Sequence, residues 1–177
     1  MKNSRNIGFL TLFSRLMIGM IAMAALSGCA GYRLGTTLPP GVKNVYVPAF
    51  INETGYPQVD TYATRATIDE FQRDGTVVLT DEVDADAVIH ATVTEYRMES
   101  LGYNPNDPKS TSEYRLWLVA KVIFTRKSNG EVLLDQKIRG KTEFNVAGDL
   151  SSAKMSALPD ASIDLARHIV RSVVEYW

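Results

Sequence analysis

The feature that most constrains this chain is a run of strict alternation. Tyr114, Leu116, Leu118, Ala120, Val122 and Phe124 share one parity; Arg115, Trp117, Val119, Lys121 and Ile123 take the other. A period of two sustained over that length dictates a β-strand with one dry face, read here from Glu113 to Arg126. Ser128-Asn129-Gly130 follows, and Gly130 suits the left-handed position that closes a three-residue hairpin loop. A returning strand, from Glu131 to about Gly140, then has one register that keeps its apolar residues on the dry side. In that register Phe124 meets Leu134, Val122 meets Gln136 and Ala120 meets Ile138. On the other side Ile123 meets Asp135, Lys121 meets Lys137 and Val119 meets Arg139.

The rest of the chain supplies the neighbours of that hairpin. Val45, Val47 and Ala49 alternate in a first strand that Pro48 ends or confines to an edge. After the turn cluster Asn52–Pro57, a stripe of Val59, Tyr62, Ala63, Ala66, Ile68 and Phe71 predicts a helix over Val59–Asp74, with Gly75 as its stop. Thr76–Thr80 is a short second strand. The acidic bend Asp81–Asp86 leads to a third, with Ala87, Ile89, Ala91 and Val93 on one face. Val88, His90, Thr92, Thr94, Tyr96 and Met98 fall on the other. Asn104 to Ser112 is aperiodic and reads as a mobile polar loop. A last helix is expected from near Pro159 to the terminus, facing the sheet with Ile163, Ala166, Val170, Val173, Val174 and Trp177. The order β-α-β-β-β-β-α predicts an α/β (α+β) fold: an open mixed sheet of four to five strands with two helices packed on one face.

The N-terminus is an address rather than a fold element. Lys2, Arg5 and Arg15 are the only charges ahead of Cys29, and Leu16–Ala25 is an uncharged apolar run of ten residues. That is half of the roughly 20 needed to span a bilayer core, and it fits a secretory signal. Leu26-Ser27-Gly28-Cys29 resembles a bacterial lipobox, which implies cleavage before Cys29 and acylation of its sulfur and new amino group. The expected divisions are a signal peptide at 1–28, a lipidated linker at 29–42 and a single domain at 43–177. Removing the leader takes away three cations and no acid, moving the net charge from −1 to −4. By resemblance to enterobacterial sorting, Ala30 after the cysteine points to the outer membrane, lipid-anchored on the periplasmic side.

Several chemistries find no support. One cysteine excludes an intrachain disulfide and a thiolate cluster, and two histidines, His90 and His168, leave little for a metal site. His90 reads as a hydrogen-bonded sheet histidine and His168 as a solvent-facing helix residue. The Asp81–Asp86 carboxylates lack the glycine and closing glutamate of a calcium loop. No phosphate-binding glycine loop and no Gly-x-Ser-x-Gly elbow occur. The expectation is a non-enzyme with no metal and no cofactor beyond a lipid on Cys29. A charge near zero argues against a molecule-wide nucleic-acid surface.

The lipobox runs directly into Gly31-Tyr32-Arg33-Leu34-Gly35, and this opening resembles that of the lipopolysaccharide-assembly lipoproteins, the LptE family. Leu38–Pro48, Ile68-Asp69-Glu70-Phe71, Ala85–Ile89 and Glu113-Tyr114-Arg115-Leu116 extend the likeness over most of the mature chain. The resemblance implies a small α/β domain lodged in the lumen of an outer-membrane β-barrel, LptD, assisting its assembly and binding lipopolysaccharide bound for the outer leaflet. A shorter likeness, Val45–Gly55, is shared with lipoproteins of the curli-secretion and penicillin-binding-protein-activator type, which implies a tethered regulator or secretion component instead. On the first reading Arg115, Lys121, Lys137 and Arg139 form a local basic patch for lipid A phosphates or the barrel interior, with Trp117 adding apolar area. The Asn104–Ser112 loop is a second candidate contact with the barrel.

Overall fold

The computed structural model describes residues 38–104, 107–146 and 148–175; the leader, Cys29 and residues 30–37 lie outside these. The strands are β1 (Asn44–Tyr46), β2 (Ile51–Asn52), β3 (Val78–Leu79), β4 (Ala87–Asn104), β5 (Asp107–Arg126) and β6 (Val132–Asn145). The helices are α1 (Val59–Asp74), between β2 and β3, and α2 (Leu150–Val174), after β6. They form one mixed sheet in the order β3-β1-β4-β5-β6, with β2 also on β4. β1, β2 and β3 pair in parallel, as strands on either side of a crossover helix must, and β4-β5-β6 is an antiparallel meander. The sheet has six strands, slightly more than expected, because the two-residue β2 forms where the sequence reads as the edge of a turn.

The register read from Gly130 is the one observed. Phe124 pairs Leu134, Ala120 pairs Ile138, Lys121 pairs Lys137 and Val119 pairs Arg139, and Gly130 has φ +71°. One face of the meander is therefore dry: Ile89, Val93, Leu116, Leu118, Ala120 and Val122 are all but sealed from solvent. Both helices cover this face. α1 buries Val59, Ala63, Thr67 and Phe71, each four residues after the last, and the Thr67 hydroxyl is satisfied by the Ala63 carbonyl at 2.8 Å. α2 buries Ala161, Leu165, Ile169 and Val173 on the same spacing.

Three expectations are corrected. Tyr96 and Met98 do not share the face of His90, because a β-bulge at Thr94 shifts the register between Val93 and Glu95. Beyond it Tyr96 and Met98 pack against the core, and Glu95, Arg97 and Glu99 take the other face. The Asn104–Ser112 segment is not a long loop. β4 runs to Asn104 and β5 starts at Asp107, leaving only 105–106, outside the described residues, to join them. Thr- and Ser-rich strands of this kind carry no apolar alternation to read. Finally, α2 starts nine residues before Pro159. Asp149 caps it by accepting the Ser152 N–H at 2.8 Å. Pro159 sits inside the helix, where it leaves the carbonyl of Met155, an exposed residue, without its usual donor.

Gly140 fixes how close α2 comes. A Cβ there would lie 2.3 Å from the Leu165 backbone nitrogen and 2.5 Å from its Cα, so only hydrogen fits between strand and helix. At the other end of the sheet, Asp86 accepts the N–H groups of Asn44 (2.8 Å) and Lys43 (3.0 Å), and Arg126 donates to the Pro40 carbonyl (2.8 Å). Leu38 and Val42 pack onto the core beside them.

Two outcomes follow from these contacts. Gly140→Ala forces α2 away from β6 and should cost about 3 kcal/mol, the upper part of the overpacking range, read as a lowered urea midpoint; an unchanged midpoint refutes the close approach. The two backbone donors hold the Asp86 carboxyl below its usual range. Its contribution is complete above the unfolded carboxylate value of about 3.9 and is lost as pH falls through the lower folded value. Asp86→Ala should therefore be less stable than wild type at neutral pH, and the gap should close in strong acid. A gap that stays constant with pH would show that the carboxylate is not the acceptor.

Candidate functional site

The face of the sheet opposite the helices is uncovered. The hairpin register brings all five residues read from the sequence, Arg115, Trp117, Lys121, Lys137 and Arg139, onto it. The bulge at Thr94 adds Glu95, Arg97 and Glu99 from β4, and the extension of β6 past Gly140 adds Lys141 and Glu143. Sequence reasoning missed these five, because it ended β6 at Gly140 and carried the β4 alternation through without a bulge. The signal was present: Glu95-x-Arg97-x-Glu99 is itself a wet face on period two.

The face divides into two electrostatic zones. At one end Trp117 lies among cations. The Arg97 and Arg115 guanidinium carbons sit 5.7 and 5.8 Å from its ring centroid and the Lys141 Nζ 5.6 Å. Three carboxylates balance these three cations. Arg97 pairs with Glu95 at 2.8 Å; Arg115 pairs with Glu143 at 2.6 Å and approaches Glu99 at 3.7 Å. The Trp117 Nε1 donates to Glu99 at 3.1 Å. The hydrogen bond from Arg115, and then its charge, hold the Glu143 carboxyl below its usual range; the same bond raises the guanidinium. This end is locally neutral, with Arg115 paired inside it.

The centre of the face is different. Lys121 reaches Asp135 at 3.8 Å, a loose exposed pair. Lys137 and Arg139 make no ion pair among the described residues, and both are exposed. Three cations against one carboxylate leave a local excess of positive charge, with the half-buried Ile123 providing apolar surface beside them. The Lys121–Lys137 pair stands directly opposed across the ladder, an arrangement that is unfavourable unless solvent or an anion intervenes. Lys121, Lys137 and Arg139 thus lie together on the open face with one carboxylate, Asp135, in reach.

Elsewhere the surface offers less. His90 is exposed on the open face opposite Ile123, without a ring hydrogen bond among the described residues; His168 is exposed on α2 with its Nδ1 2.9 Å from the Asp164 carbonyl. A groove of about 490 Å³ between α1 and the β1–β3 edge is lined in part by Tyr46, Ile68, Leu79 and Asp81 and brings no pair of titratable groups into acid–base geometry. Among the described residues, no group of His, Cys, Asp and Glu is arranged to hold a metal ion, and no helix is long and apolar enough to cross a membrane.

No curated protein sequence matches the chain. Among solved structures, a hypothetical protein from Chlamydia trachomatis has a TM-score of 0.54 at 11% identity, covering 76% of this chain and 97% of that one. A protein from Xanthomonas campestris has a TM-score of 0.53 at 10% identity, with coverage of 80% and 91%. The rare lipoprotein B from Shewanella oneidensis gives 0.50 at 12% identity, with coverage of 76% and 96%. At such identities these likenesses show a shared fold. The model of the lipopolysaccharide-assembly family matches residues 42–173, from the turn before β1 to the last turn of α2, and so takes in the whole Val45–Gly55 run, the hairpin, α1 and all but the last residue of α2. This chain belongs to the lipopolysaccharide-assembly family LptE.

Proposed function

We propose that this chain is an outer-membrane lipoprotein, lipidated at Cys29, that plugs the LptD β-barrel, assists its assembly and helps deliver lipopolysaccharide to the outer leaflet. The observation that carries the reading is a sheet face that no described helix covers, on which Lys137 and Arg139 make no ion pair among the described residues, in a chain whose family is lipopolysaccharide assembly. A barrel lumen is polar. A plug suited to it presents paired and hydrated charges rather than an apolar patch, as the Trp117 end does. The excess cations at the centre suit phosphates, and the half-buried Trp117 and Ile123 suit an acyl or apolar portion of the same ligand. Arg115, held by Glu143 and Glu99, then acts in orienting Trp117 more than in meeting an anion directly. The role is one of binding and assembly, with no reaction assigned to any residue.

The partner is tested by affinity purification from detergent-solubilised membranes. Co-recovery of a large β-barrel supports the plug; recovery of a bitopic murein synthase, or of a stable ring of this chain, overturns it in favour of the regulator or secretion reading. For the ligand, the Lys121→Glu, Lys137→Glu double variant should weaken lipopolysaccharide binding by about tenfold or more while leaving the urea midpoint near wild type. Unchanged binding and unchanged barrel assembly would dispose of these contacts. Acyl chains contribute about 0.8 kcal/mol per buried methylene, so Cys29→Ser should move the protein from the membrane to the soluble periplasmic fraction. Retention in the membrane would refute the anchor.

A further inference from the structure

β6 has one free side. Among the described residues it is the last strand in the sheet and pairs only with β5. The Lys141 N–H donates to the Asp164 carboxylate of α2 at 2.9 Å, so it points away from β5. Backbone groups alternate in direction along an antiparallel ladder, and the β5–β6 register is unbroken from Leu134 to Asn145. Asp135, Lys137, Arg139 and Glu143 therefore also turn their N–H and carbonyl groups outward. Of these outward donors, only that of Lys141 finds an acceptor among the described residues. α2 thus closes the edge at Gly140–Lys141 and leaves Asp135–Arg139 bare.

We propose that this bare stretch of β6 takes an extended acidic segment of a partner polypeptide as an added strand. Main-chain hydrogen bonds to the outward groups would hold it, and charge selects it. Lys137 and Arg139 project from the edge residues themselves, exposed and without ion pairs among the described residues. His168 and Arg171, one and two helical turns beyond Asp164 and both exposed, put further basic side chains on the same flank of α2. A second copy of this chain is a weaker occupant, because two β6 edges pairing antiparallel over Asp135–Arg139 set Lys137 against Lys137 and offer Arg139 only Asp135, whereas an acidic strand meets both cations. The opposite edge, β3, has only two residues and offers no comparable ladder. The inference sharpens the protein-partner half of the function proposed above. Its test needs neither lipopolysaccharide nor the barrel, so its failure leaves that reading standing.

The full chain in detergent is titrated with a short peptide of alternating Glu and Val, and with its Lys and Val counterpart. The acidic peptide should bind and slow deuterium exchange at the Lys137 and Arg139 amides; the basic peptide should do neither. Lys137→Pro removes an outward N–H that the β5 ladder does not use, a position where proline is tolerated. It should cut affinity by about tenfold or more, and Lys137→Gln, which keeps the N–H, should cut it less. Equal loss in both variants, equal binding of both peptides, binding without protection of those amides, or no binding overturns the proposal. If Lys137→Pro does not fold, exchange at the two amides of the wild-type chain decides alone.

Discussion

The rest of this structure depends on the crossing of α2 over β6 at Gly140. With no Cβ in the way, the backbone of Leu165 comes to within van der Waals range of the strand, and Asp164 next to it reaches the Lys141 N–H. That single seat decides what α2 covers. It sets Leu165, Ile169 and Val173 onto the same side of the sheet as Val59, Ala63 and Phe71 of α1. Both helices thereby lie on one face, and none among the described residues remains to cover the other. The open face is a consequence of the packing, and its chemistry must be compatible with water or with a partner.

The two zones of that face are explained by different energetics. Exposed ion pairs contribute little, typically about 0–1 kcal/mol, and Arg115, Glu143 and Glu99 are all at least a quarter exposed. The cluster around Trp117 is therefore weak as a source of stability. Its effect is geometric: three cations and three carboxylates hold a large ring in one place on a solvated surface. The Lys121–Lys137–Arg139 centre has no such internal balance. A sequence could readily have placed a carboxylate opposite Lys121 and gained a cross-strand pair. It places Lys137 there instead, at a small cost in stability that solvent or a bound anion would offset.

Much of this is legible in the amino-acid sequence. Alternation in Tyr114–Phe124 and the φ requirement at Gly130 together leave one register, and every pair derived from them is found. What escapes such a reading is whatever breaks a period. The extra residue at Thr94 reverses parity without a glycine or proline to announce it, so Tyr96 and Glu99 exchange sides relative to a straight alternation. Pro159 reads as a helix start, because proline is favoured there and costly in a helix interior. The actual start is capped by the Asp149 side chain, and burial of Ala157, Leu158 and Ala161 around the proline helps offset its penalty. The hairpin beyond Ser100 has no apolar alternation to read, and beyond the Glu113–Asn145 pair β4 and β5 pair only with each other among the described residues.

The same logic of load and cover extends to the N-terminal segment. The chain enters the domain at Pro39–Asn44, and the groups that hold it belong to the starting end of β4 and the finishing end of β5: Asp86 just before the first, Arg126 as the last of the second. These are the two most extensively paired strands of the sheet. A force applied through the residues before Pro39 is thus delivered to the centre of the sheet, along its strands, where many ladder hydrogen bonds share it. Neither α2 nor the β6 edge lies in that path.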